Sequence, residues 1–265
     1  KMIRTFDGDT PICRAIVSDK FKTFDNVDLV QAALPQLIES DANWKIVNGT
    51  VTDQRLYMRL KSENQIAEAA VGDVMANGIL LKNSEVGLGS VEVSQLAWTL
   101  WCLNGCTTEN KSRHTHVTSA RGGDQWALLT DEAKSADNKA LELKLRDIVA
   151  AYGSRENFDQ HVELMRQAHG DIIENGTSDP QKVVEAVVSV LKLPKKTTGD
   201  VMAGLMATMQ QDGYRDKPIS RATVVNAVTA VAHSAEPDNV DEWYVNGRTV
   251  LDLPRNQWEV IARAA

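Results

Sequence analysis

The chain has 265 residues, 43% hydrophobic and 25% charged, with a formal net charge of −7. That balance excludes a fibrous or largely disordered protein, and no stretch reaches the roughly 20 uninterrupted apolar residues that a membrane-spanning helix needs. Three cysteines, Cys13, Cys102 and Cys106, are too sparse and odd a set for a disulfide framework, and with no apolar leader in "KMIRTFDGDTPICRAIV" they point to a soluble protein of the reducing cytoplasm.

In chain order, "CRAIVS" reads as a short strand. "DNVDLVQAALPQLIES" follows as a helix carrying Val27, Val30, Leu34, Leu37 and Ile38 on one face, capped at Asp25 or Asn26 and bent at Pro35. "NWKIVNGTVTDQRLYMRLKS" reads as a hairpin turning at Asn48-Gly49, since both residues tolerate positive φ. From Arg55 the alternation is regular: Leu56, Met58 and Leu60 point to a core, and Arg55, Tyr57, Arg59 and Lys61 point away from it. "VGDVMANGILLKN" is a further strand, interrupted at Asn77-Gly78. Gly87 and Gly89 mark a sharp corner, and Val91–Leu103 is expected to be a helix that stops at Asn104-Gly105.

The second half reads as mainly helical: residues 131–153, 179–194, 197–214 and 220–234, then a small hairpin at Asn246-Gly247 and a terminal helix with Trp258 and Ile261. Val201, Leu205, Met206 and Met209 form a core stripe. The expectation is an α+β protein: residues 1–122 hold an N-terminal antiparallel sheet with packed helices, and residues 123–265 a mainly helical half, divided in the polar stretch from Thr107 to Gly123. Charge follows the same division. Residues 41–122 carry eight acids and eight bases, and residues 123–265 carry 22 and 16, so the first half can hold a cationic patch despite the acidic total.

The basic strand face suggests chemistry. Alternate strand residues lie about 6.6 Å apart, close to the phosphate spacing of an extended single strand, and Tyr57 offers a surface for a base to stack on. The same pattern describes a solvated outer face. "TTENKSRHTHVTSARGG" adds Lys111, Arg113, His114 and Arg121 on a polar loop able to clamp a phosphate backbone, and Lys82 stands beside the corner.

Other chemistry is poorly represented. Cys102, Cys106, His114 and His116 are spaced C-x3-C-x7-H-x-H, which is not a finger pattern, and the two cysteines suit one buried helix face better than a zinc ion. The signatures of hydrolases, phosphate loops, zinc proteases and dinucleotide folds are missing. No catalytic residue, metal or cofactor is expected. Glu85, Asp73 and Asp124 are the carboxylates that a metal-dependent nuclease would use, if a histidine joined them.

At "NSEVGLGSVEVSQLAWTLWCLNG", with "RAIVSDKFKTFDN" upstream, "SRH" downstream and more loosely "TVVNAVTAV", the chain resembles the phage/plasmid-like family of domains of unknown function from prophages and bacterial plasmids. The order of strands followed by a helix is also similar to that of single-strand annealing proteins of the RecT and Red-beta type, which form rings or filaments and hold extended single-stranded DNA in a basic groove. These resemblances imply a homo-oligomeric protein that binds single-stranded DNA during recombination or replication of a mobile element, without bond chemistry. A metal-dependent nuclease, or an interaction module countering a host defence system, is the alternative.

Overall fold

The computed structural model describes residues 1–6, 10–116, 128–173 and 179–264. Seven strands come first among them: β1 (Met2–Phe6), β2 (Ile12–Val17), β3 (Trp44–Val51), β4 (Leu56–Ala70), β5 (Asp73–Asn83), β6 (Val91–Thr99) and β7 (Asn104–His114), with helix α1 (Asn26–Glu39) between β2 and β3. Helices then dominate: α2 (Asp131–Tyr152), α3 (Arg155–Gly170), α4 (Pro180–Val190), α5 (Thr198–Met209), α6 (Arg221–Ala230), α7 (Val240–Leu251) and α8 (Arg255–Ala264). The class is α+β, with a helical C-terminal half. β1 and β2 pair as an antiparallel ribbon, and the other strands form one sheet in the order β3-β4-β5-β6-β7.

The chain forms two units, and neither is a consecutive half. One comprises Lys1–Asn64, Gly78–Gln95 and Glu109–Ser154, the other Gln65–Asn77, Leu96–Thr108 and Arg155–Ala265. Each has its own apolar core. In the first, Leu60, Ile79, Leu81, Val91 and Val93 of the sheet pack on Leu29, Ala32, Ala33 and Leu37 of α1 and on Leu145 and Val149 of α2. In the second, Met75, Ala97 and Cys106 from the strands join Phe158, Val162, Val187, Leu205 and Val225 from the helices.

Helix α1 starts where expected, with Asp25 as its N-cap and the Asp28 carboxylate accepting from the Asp25 N–H at 2.7 Å. It buries a different face from the one the apolar spacing suggests. Leu29, Ala32, Ala33 and Leu37 are inside, whereas Val27 and Ile38 are exposed, and Pro35 lies within the helix without ending it. In the other expected stripe Val201 and Leu205 are buried, but Met206 is exposed.

The four Asn-Gly pairs read as turn signals do not turn the chain. Asn48-Gly49 lies inside β3, Asn77-Gly78 inside β5, Asn104-Gly105 opens β7, and Asn246-Gly247 lies in α7 instead of a hairpin. Turns fall elsewhere. Thr52 closes the β3–β4 turn by accepting at Oγ1 from the N–H groups of Gln54 and Arg55, and Gly72 and Gly87 take positive φ between β4 and β5 and between β5 and β6. Moving the first turn from 48–49 to 52–55 changes the pairing, so that Lys45 stands opposite Lys61 and Ile46 opposite Leu60.

Residues 91–103, expected as a helix, are β6 and a turn. All nine residues of β6 are buried, so exposure does not alternate along the strand. The segment expected to be a polar loop is strand β7 as far as His114, and Cys102 and Cys106 therefore share no helix face.

Candidate nucleic-acid interface

The core fixes which way each strand residue points. Leu60, Ile79, Leu81, Val91 and Val93 lie on the side of the sheet that faces α1 and α2. By alternation, Tyr57, Arg59 and Lys61 on β4, Lys82 on β5 and Glu92 on β6 lie on the opposite side. Contacts extend that side to β7, where Lys111 pairs with Glu92 at 2.9 Å and the Arg113 Nε–H donates to Ser90 Oγ at 2.8 Å. Lys45 joins it from β3 through its pairing with Lys61. Lysines directly opposite on neighbouring strands repel, and an anion resting on both relieves that repulsion.

Burial divides this face. Lys45, Lys111 and Arg113 are exposed, Lys61 and Lys82 half-buried, and Arg59 is 4% exposed. Tyr57 has 0% exposure, which corrects its expected role: a ring with no open surface cannot stack on a base. It holds cations instead, with Lys82 Nζ 5.1 Å and Arg59 Cζ 5.2 Å from the ring centroid, within range of the ring's electrostatic attraction. Arg55 lies before the strand, and its Nε–H and Nη2–H donate to the Leu88 carbonyl at 3.2 and 2.6 Å. Its charge therefore braces the β5–β6 corner.

The remaining expected residues lie apart from this face. His114 alternates to the α2 side, where partial burial and the nearby Lys144 hold its imidazole below its ordinary pKa. Ser112 Oγ is 3.2 Å from its Nε2. Arg121 and Asp124 lie outside the described residues. Sequence reading missed Lys45 because a turn at Asn48-Gly49 does not pair it with Lys61.

The corner "NSEVGLG" holds the start of α1. Asn83 Nδ2 donates to the Phe24 carbonyl at 3.0 Å and to Asn26 Oδ1 at 3.1 Å, and Glu85 accepts from the Asn26 N–H at 2.8 Å and from Arg14 at 2.5 Å. Burial works to raise the Glu85 carboxyl, but these two donors overcome it and hold it below its usual range. His116, stacked on Phe21 at 4.9 Å, donates from Nδ1 to the Lys22 carbonyl at 2.9 Å. Glu85 is thus committed to structure.

In the second unit, the buried Asp73 carboxylate accepts from Tyr214 Oη–H at 2.7 Å and from His169 Nε2–H at 2.8 Å through the same Oδ2. Asn226 Nδ2 donates to Tyr214 Oη at 2.6 Å, and the Thr99 hydroxyl donates to Asn226 Oδ1 at 3.1 Å. Burial, then the Asp73 charge, raise the Tyr214 phenol well above its ordinary pKa, so it stays a donor. Burial also pushes both the Cys102 and Cys106 thiols up to about 12, which leaves neither a thiolate at neutral pH. Among the described residues, no three His, Cys, Asp or Glu side chains are grouped to hold a metal ion.

The fold and this face define an α+β protein with a cationic sheet surface. No protein-family model, curated protein or solved structure matches the chain.

Proposed function

We propose that the protein binds single-stranded DNA along this face as a homo-oligomer of a phage or plasmid, holding the strand for annealing without bond chemistry. The observation that carries the reading is the opposition of Lys45 and Lys61 beside Arg59, Lys82, Lys111 and Arg113. Recognition is of the phosphate backbone, because Tyr57 is inside while Lys45, Lys111 and Arg113 are exposed and Lys61 and Lys82 partly so. Exposed Ile3 and Ile16, paired across the β1–β2 ribbon, favour assembly over a lone subunit.

Gel shifts with single- and double-stranded oligonucleotides, beside light scattering, test it. With Arg59 buried, the other five cations on phosphates give a log–log salt slope of roughly −3.5 for single strands. Replacing Lys45, Lys111 and Arg113 together by glutamine lowers affinity at least tenfold and flattens the slope by about 2. These three are exposed, so the fold survives, whereas changing the buried Arg59 would confuse binding with folding. An unshifted single strand at low salt overturns the reading.

A further inference from the structure

The second unit holds a cavity of about 620 Å³ beside α8, lined by Arg221, Arg255, Arg263, Trp258, Asp171 and Glu259 among others. Its wall is built around Arg221, which is 8% exposed. The Arg221 guanidinium lies 5.0 Å from the Trp258 ring centroid, and its Nη1–H donates to the carbonyls of Leu251 at 3.1 Å and Leu253 at 2.8 Å. One edge of the fork is thus fixed. The other edge, Nε–H and Nη2–H, has no hydrogen-bond acceptor among the described residues: Asp171 Oδ2 is 3.0 Å from Nε, but the N–H is not aimed at it.

That edge is the one with which arginine grips an oxyanion through two parallel hydrogen bonds. Two further guanidiniums stand at the cavity on α8. Arg255 and Arg263 are 92% and 81% exposed, and both rest on Glu259, at 3.2 and 3.0 Å, one turn to either side. Such exposed pairs are weak and exchange readily for a better anion. With three guanidiniums against two carboxylates, the cavity favours negative charge, and it has room for more than a bare oxyanion.

We infer that this cavity is a binding site for a small phosphorylated molecule, its phosphate held on the Nε/Nη2 edge of Arg221 in place of the Asp171 carboxylate and clamped by Arg255 and Arg263. Asp171 on Arg221 and Glu259 on the two outer arginines are the internal competitors that the phosphate displaces. The lining residues all belong to the second unit, whereas the cations of the sheet face belong to the first.

Titration calorimetry with inorganic phosphate, pyrophosphate and succinate tests it. Pyrophosphate binds the wild-type chain, phosphate binds more weakly and succinate at least tenfold more weakly than pyrophosphate. Glu259→Gln releases both outer arginines and tightens pyrophosphate several-fold, and Arg255→Gln with Arg263→Gln weakens it at least tenfold. Both variants alter exposed groups and should fold normally. Arg221→Lys keeps the charge but loses the fork, and abolishes binding in a sample whose circular dichroism matches the wild type. Absence of pyrophosphate binding, equal affinity for succinate, or affinity unmoved by Glu259→Gln and by the double arginine variant overturns the assignment.

Discussion

At the scale of single residues, the sharpest consequence concerns His161. It is 2% exposed, with its Nδ1 3.5 Å from Arg248 Nη1 and its Nε2 without a partner among the described residues. Burial first, and then the Arg248 charge, push its pKa down to about 3. Between that value and the ordinary 6.5, the unfolded chain takes up a proton that the folded chain refuses. The contribution to stability is therefore complete above pH 6.5 and declines on acidification by about 1.4 kcal/mol per pH unit. Urea unfolding of His161→Leu beside the wild type checks this. The variant should lose roughly 2 kcal/mol less between pH 7 and pH 5, and equal losses would exclude His161 as the source. The same low exposure explains Tyr57: alternation in the sequence reveals which side of a strand a residue takes, but not whether that side is open.

At the scale of elements, helix packing in the second unit depends on two close approaches. A Cβ at Gly204 of α5 would lie 2.3 Å from the Ala227 carbonyl oxygen of α6, and one at Gly247 of α7 would lie 2.2 Å from the Thr229 methyl of α6. α6 is buried from Arg221 to Thr229 and leaves no room to retreat. Gly199, also in α5, has nothing within 4 Å. Gly204→Ala should therefore cost about 1–3 kcal/mol through overpacking, and Gly199→Ala should gain about 0.5 kcal/mol through the unfolded state. Thermal melts of the two variants should move in opposite directions; a stabilised Gly204→Ala would disprove the tight crossing. The same approach explains why Asn246-Gly247 does not signal a hairpin. There the glycine serves contact between helices, which no local pattern displays. β6 differs from the expected helix for a related reason: Val91 to Ser94 alternate, but Leu96-Ala97-Trp98 is an apolar run buried on both faces, and such a run does not separate strand from helix. β4 kept that alternation, and its apolar side was legible.

At the scale of the whole molecule, helical and sheet-bearing regions were legible, but the partition of the core was not. The first unit takes Leu145 and Val149 from α2, far along the chain from its strands, and the second takes Met75, Ala97 and Cys106 from β5, β6 and β7. Periodicity reports the apolar face of an element, never the element that covers it. A chain cut after residue 122 strands both sets. Fragments 1–122 and 123–265, made separately, should lack a cooperative urea transition, while the full chain retains one. A cooperative transition in the first fragment alone would show that α2 is dispensable to its core. Net charge belongs to this scale too, since −7 overall is compatible with a cationic face only because the acids concentrate elsewhere.

The placement of the Asn-Gly pairs has a chemical consequence for the ageing of the protein. Asparagine before glycine deamidates readily where the backbone is loose, because the glycine nitrogen can swing in to attack the side-chain carbonyl and close a succinimide ring. In strands β5 and β7 and in helix α7 the regular backbone resists that swing, whereas Asn48 in β3 follows a register shift between Ile46 and Asn48. Asn77 and Asn104 are further held by side-chain hydrogen bonds to Gln65 and to the Asn226 carbonyl. Asn77-Gly78, Asn104-Gly105 and Asn246-Gly247, which look like weak points for long storage, are thus protected for as long as the chain stays folded.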